Sequence, residues 1–121
     1  MAKTVLTVDD STSMRMMIGF ALREAGYEVI EAVDGVDAME KLARNTVDMI
    51  VSDVNMPRMD GLALVRAVRG TKRHRFTPVL MVTTVYQDDI KEEWRLAGAT
   101  GWIVKPFNPA ELLSAVRRVM P

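Results

Sequence analysis

The sequence predicts an α/β fold in which one parallel sheet of five strands is wrapped by helices on both faces. Three observations predict it. Short β-rich apolar runs alternate with segments of helical spacing, five of each within 121 residues, as in repeated strand–helix units. The central run Met49-Ile50-Val51 is continuously apolar instead of alternating, as a strand covered on both faces must be. Finally, Asp9-Asp10, Asp53, Thr83 and Lys105 all sit at or just past the ends of such runs. Open α/β sheets carry their ligand crevice there.

Taken in order, Val5-Leu6-Thr7-Val8 is the first strand, and Ser11, Thr12 and Ser13 offer N-caps for the helix that follows. Met14, Met17, Ile18, Ala21, Leu22 and Ala25 recur at helical spacing until Gly26 stops the helix. Tyr27 to Ala32 is a shorter, alternating strand of edge character. Asp34-Gly35 then turns the chain into a second helix carrying Val36, Met39, Leu42 and Ala43. The third strand lies within Val47 to Asp53, and Pro57 and Gly61 break the structure after it. Leu62, Val65 and Val68 mark a third helix ending at Gly70. Thr71-Lys72-Arg73-His74-Arg75-Phe76 reads as a solvated basic loop. Pro78 to Val82 is the fourth strand and delivers Thr83-Thr84. A polar helix from about Gln87 to Ala97 presents Ile90, Trp94 and Ala97 on one side. Gly101 to Val104 is the fifth strand, leading to Lys105-Pro106-Phe107. Pro109 suits the first turn of a last helix bearing Leu112, Leu113, Val116, Val119 and Met120. Right-handed crossovers and short connections reduce the topology to a doubly wound sheet, with flavodoxin-like order 2-1-3-4-5. The ten methionines fall mostly at core-facing positions and read as packing.

Composition narrows the chemistry. Sixteen basic and sixteen acidic residues cancel, so no overall field argues for nucleic acid or an anionic membrane. No cysteine is present, and His74 is the only histidine; thiolate chemistry and Cys- or multi-His metal sites are excluded. No apolar run approaches the roughly 18 residues of a membrane span. The first strand follows Met1-Ala2-Lys3 at once and the chain stops after the fifth helix. The expectation is therefore a single cytoplasmic domain over residues 1–121, monomeric, without signal peptide or output domain.

With strands one and three adjacent, Asp9, Asp10 and Asp53 meet in one crevice. Like charges there demand a cation, and hard oxygen ligands select Mg²⁺, or Mn²⁺. The backbone carbonyl of Asn55 could add another oxygen. Lys105 brings a compact positive charge and Thr83 a hydroxyl donor. That set suits phosphoryl transfer, with a carboxylate as nucleophile. The structural alternative takes each residue alone: Asp9 and Asp10 as helix caps, Asp53 as a loop cap, Thr83 as a strand residue, and Lys105 as an ion-pair partner.

The pattern Asp9-Asp10, Asp53, Thr83 and Lys105-Pro106 resembles the receiver domains of two-component response regulators, over essentially the whole chain. Asp53 to Gly61 matches the family's phosphorylation loop. Asp9-Asp10-Ser11-Thr12-Ser13-Met14-Arg15 resembles its stand-alone, CheY-like chemotaxis branch. The resemblance implies a phospho-switch and not an enzyme, with Asp53 accepting phosphate from a histidine kinase. It implies Mg²⁺ held by Asp10, Asp53 and the Asn55 carbonyl, with Asp9 acting through water. It further implies Thr83, Lys105 and Trp102 as phosphate-contacting or switch residues, and a cis peptide at Lys105–Pro106. Output would pass through the face of the fourth helix, fifth strand and fifth helix, to a flagellar motor switch component or a phosphorelay partner.

Three positions depart from the family's usual pattern. Trp102 replaces Tyr or Phe, Thr84 replaces Ala or Gly, and Val85 replaces a polar group. Two rival functions remain on the residues. A Mg²⁺-dependent phosphohydrolase with an aspartyl nucleophile needs a second acid where Asn55 stands. A flavin or nucleotide binder needs glycines and bare N–H groups where Asp9-Asp10 stand.

Overall fold

The computed structural model describes residues 2–84 and 88–120, with backbone alone at 88 and 89. Ten elements alternate along the chain: β1 (Thr4–Val8), α1 (Thr12–Glu24), β2 (Glu28–Ala32), α2 (Gly35–Arg44), β3 (Met49–Asp53), α3 (Gly61–Arg69), β4 (Val79–Thr83), α4 (Asp88–Ala97), β5 (Gly101–Val104) and α5 (Pro109–Val119). Gln87, expected at the start of the fourth helix, and Val85 lie outside the described residues.

All pairings are parallel, in the order β2-β1-β3-β4-β5. The winding direction reverses between β1 and β3, the place where such sheets open a crevice. Val8 pairs with Ser52, so Asp9 and Asp53, one residue further on, leave the sheet side by side. Every residue of β3 and β4 is buried, as their apolar runs require.

Successive side chains in these strands point to opposite faces, and two cores result. Val5, Met49, Val51, Leu80 and Val82 pack with Ile18, Leu22, Leu112 and Val116, under α1 and α5. Leu6, Val8, Ile50, Val79 and Met81 pack with Leu42, Leu64, Val65, Val68 and Trp94, under α2, α3 and α4. The helices start at side-chain caps. Ser11 accepts from Met14 N–H, Asp34 from Asp37 N–H, Asp60 from Ala63 N–H, and Asn108 forms a capping box with Glu111. Each such cap is worth about 1 kcal/mol. Gly26, at φ 96°, turns the chain out of α1.

Four expectations require correction. Ala25 and Ala43 are exposed, because helical spacing carried one step too far reaches the last, outward-turning residues; Ala38 and Leu64 fill the core instead. Met16 is 62% exposed, while the other described methionines are buried or pack against one of the two cores, as expected of most of them. β2 is an edge strand, but its residues are mostly half-buried and do not alternate, since Val29 faces one core and Ile30 the other.

The Thr71–Phe76 connection is solvated only in part. Lys72, Arg73, Arg75 and Phe76 are exposed, whereas His74 is 1% exposed. Its Nε2 accepts a hydrogen bond from Val47 N–H at 3.1 Å. The reason is a backbone donor that enters the core just before β3 and needs a buried acceptor. Arg69 secures the same turn, donating to the carbonyls of Thr77 at 2.7 Å, His74 at 3.3 Å and Gly98 at 2.8 Å.

Candidate functional site

Asp53 is the last residue of β3 and is 7% exposed. Its Oδ1 accepts from its neighbour Val54 N–H at 3.0 Å and from Lys105 Nζ at 3.1 Å. Both bonds reach the same oxygen, Oδ1. Gly61 is required beside it. A Cβ there would lie 2.5 Å from the Asp53 carbonyl oxygen, and Gly61 N–H donates to the Val54 carbonyl at 2.8 Å. The start of α3 thus seats directly against the end of β3.

Asp9 leaves β1 alongside. Its Oδ1 accepts from Ser11 N–H at 2.9 Å, and Ser11 in turn caps α1. Its Oδ2 is buried and has no hydrogen-bond partner among the described residues. Burial pushes the Asp9 carboxyl above its ordinary value, and the charges of Asp53 and Asp10 add to the shift. The Ser11 N–H and Lys105 oppose it. Arg15 holds the strand end from behind, donating Nη1 to the Asp9 carbonyl at 2.7 Å and Nε to Glu31 at 3.2 Å.

Asp10 is exposed, and one carboxylate oxygen from each of Asp9, Asp10 and Asp53 lies within 4.8 Å of the others. A set of three oxygens with one ammonium beside it carries excess negative charge. Among the described residues no donor reaches Asp9 Oδ2 to offset it. Oxygen donors without nitrogen or sulfur fit a hard divalent cation such as Mg²⁺.

β5 delivers Lys105, whose N–H donates to the Thr83 carbonyl at 2.7 Å; the Lys105–Pro106 peptide is cis. Thr83 ends β4 and is 2% exposed, while Thr84 is exposed. Asn55 lies exposed in the loop after β3, two residues beyond Asp53. Trp102 is not part of the acidic crevice. It pairs with Met81, two residues down the strand from Thr83 on the same sheet face, and packs half-buried against the core beneath α4. Lys91 Nζ lies over its ring at 5.5 Å, within cation–π range.

The sequence reading missed two contributors. Arg15 acts through a backbone atom, which no motif displays. Arg58 pairs with Asp34, whose Asp-Gly context had marked only a turn.

A family model described as the response regulator receiver domain matches residues 5–117. The chain is 40% identical over 116 residues to the chemotaxis protein CheY of Pseudomonas aeruginosa, covering 95% of this chain and 94% of that one. The structure of the chemotaxis response regulator CheY4 of Vibrio cholerae superposes with a TM-score of 0.95 at 49% identity, covering 98% of this chain and 99% of that one. The receiver domain of a sensor histidine kinase from Pseudomonas aeruginosa, described with a magnesium ion coordinated in its active-site cleft, is 28% identical. Its TM-score is 0.89, with 99% and 98% of the two chains covered.

Proposed function

The chain belongs to the response regulator receiver family of two-component signalling, and from that premise we propose that it is a phospho-switch carrying its phosphoryl group on Asp53. The observation behind the reading is the crevice itself. A buried strand-end carboxylate has one oxygen tied to Lys105 and Val54, and one of its oxygens lies within 4.8 Å of an oxygen of each of two further acids. The donor is the phosphohistidine of a histidine kinase, the partner class of this family. An Asp53 oxygen attacks phosphorus, forming O–P while N–P breaks, and the imidazole nitrogen keeps the bonding pair.

Asp10, Asp53 and the Asn55 carbonyl would hold Mg²⁺, or Mn²⁺, with Asp9 reaching it through water; when bound, the cation supplies positive charge to the phosphoryl oxygens. Lys105 neutralises a further oxygen and Thr83 donates its hydroxyl to another. The new group adds roughly two negative charges and three acceptors. Drawing Thr83 toward it alters the face on which Trp102 lies one pleat away, so that α4, β5 and α5 form the output surface. The similarity to CheY proteins supports a role in chemotaxis or motility. Asn55 stands where an aspartyl phosphohydrolase needs its second acid, which disfavours that alternative.

The test is incubation with Mg²⁺ and acetyl phosphate, followed by mass mapping of the peptide holding Asp53. One phosphoryl increment is expected on the parent, none on Asp53→Asn, and a severe loss on Asp10→Ala. Equal incorporation by Asp53→Asn refutes the assignment. In a Trp94→Phe background the treated sample also reports on Trp102. Its emission and quenching shift if the ring moves with Thr83, and an unchanged spectrum removes Trp102 from the switch.

A further inference from the structure

The loop from Val54 to Asp60, between Asp53 and α3, is held at two points. At its base Gly61 N–H meets the Val54 carbonyl at 2.8 Å. At its far side Arg58 reaches Asp34, with Nε and Nη2 2.7 and 2.6 Å from the same Oδ2. Asp34 is 4% exposed and its Oδ1 caps α2 by accepting from Asp37 N–H at 2.8 Å. The surfaces also touch: a Cβ on Gly35 would lie 2.6 Å from the Met59 carbonyl oxygen.

Arg58 itself has φ 66° and stands at the centre of a tight turn in which Met59 N–H donates to the Pro57 carbonyl at 2.7 Å. A side chain in the left-handed region is disfavoured, and a three-residue turn with positive φ at its centre is rare. Glycine would occupy this position without steric cost. An arginine here requires something that holds it.

We propose that Arg58 is a positioning residue for the cation site, its ion pair with Asp34 fixing the left-handed turn that seats the Asn55-bearing loop beside Asp53. The inference rests on the reading of Asp10, Asp53 and Asn55 as cation ligands. The ion pair matters because residue 58 carries a side chain, so a glycine there dispenses with the pair.

Calorimetric titration of the full chain with Mg²⁺ tests this. Arg58→Ala, which keeps the unfavourable φ and loses the pair, is expected to weaken Mg²⁺ binding about three- to tenfold. Arg58→Gly should stay within about twofold of the parent. Asp34→Asn, which keeps a capping oxygen for α2, should weaken binding in the parent and have no effect in the Arg58→Gly background. That rescue is a signature general destabilisation cannot give, and urea unfolding of each variant records stability separately. Arg58→Ala binding as tightly as the parent overturns the proposal, as does an equal Asp34→Asn loss in both backgrounds. The Asp10→Ala control separates the two readings. If it still binds Mg²⁺ like the parent, or the parent binds none, the ligand assignment falls and the proposal with it. If Asp10→Ala loses binding and Arg58→Ala does not, the positioning role alone falls.

Discussion

The two ends of the sheet handle buried polar groups in opposite ways. At the carboxyl ends of the strands, Asp9, Asp10 and Asp53 crowd together, Lys105 is a cation beside them, and Asp9 Oδ2 has no hydrogen-bond partner among the described residues. At the amino ends, His74 accepts the Val47 N–H, and the Arg69 guanidinium reaches three carbonyls from two connections. The first arrangement holds repulsion that a ligand relieves; the second is complete without any ligand. A polar cluster therefore announces function by what it lacks, not by its size. The basic segment around His74 is the more conspicuous in composition, yet it staples the fold.

The comparison predicts opposite signs when the two ends are altered. The largest effect should come from Arg69→Ala. It strands the carbonyls of Gly98, His74 and Thr77, and should cost about 2–4 kcal/mol in urea unfolding, since each orphaned buried group costs about 1–3 kcal/mol. Arg69→Lys should recover little of it, because an ammonium cannot reproduce the fork. A loss below about 0.5 kcal/mol, the range of ordinary surface changes, would erase the contrast.

At the other end, Asp9→Asn should stabilise the protein in EDTA by about 1 kcal/mol, by removing a buried charge while keeping an acceptor for Ser11 N–H. The gain should shrink when Mg²⁺ is added. Destabilisation in EDTA would mean that the acids are satisfied after all.

The smallest effect concerns pH. Burial, reinforced by Arg73, holds the His74 imidazole below its ordinary value of 6.5. The folded protein keeps it neutral where the unfolded chain takes up a proton. Its contribution to stability is complete above that ordinary value and is lost as the pH falls from there through the folded value. The urea midpoint should decline between pH 7.5 and 5.5 and do so less in His74→Gln, which retains a side-chain oxygen for Val47 N–H. Equal slopes would show that His74 is not the group being titrated.

Much of the fold was legible because it depends on local pattern. Continuous apolar runs mark buried strands, and Gly26, Gly70 and Pro109 punctuate helices. The acidic crevice was legible for a related reason, since topology alone carries strand-end residues to one edge. What escaped was contact between distant residues through backbone atoms or single side chains. His74 answers a donor 27 positions away, and Arg58 an acid 24 positions away. Nothing in either neighbourhood of sequence states that need. Ala43 and Ala25 failed differently, because periodicity does not say where a helix turns away from the core.

The orphaned Asp9 oxygen also bears on how this protein could be improved in the laboratory. A screen that rewards heat resistance alone, run without divalent ions, would enrich replacements at Asp9 and its acidic neighbours early. Such clones would be sturdier and mute. Selection pressure on the rest of the chain carries no such conflict, so library design for this scaffold should freeze the three acids and let the far end of the sheet vary.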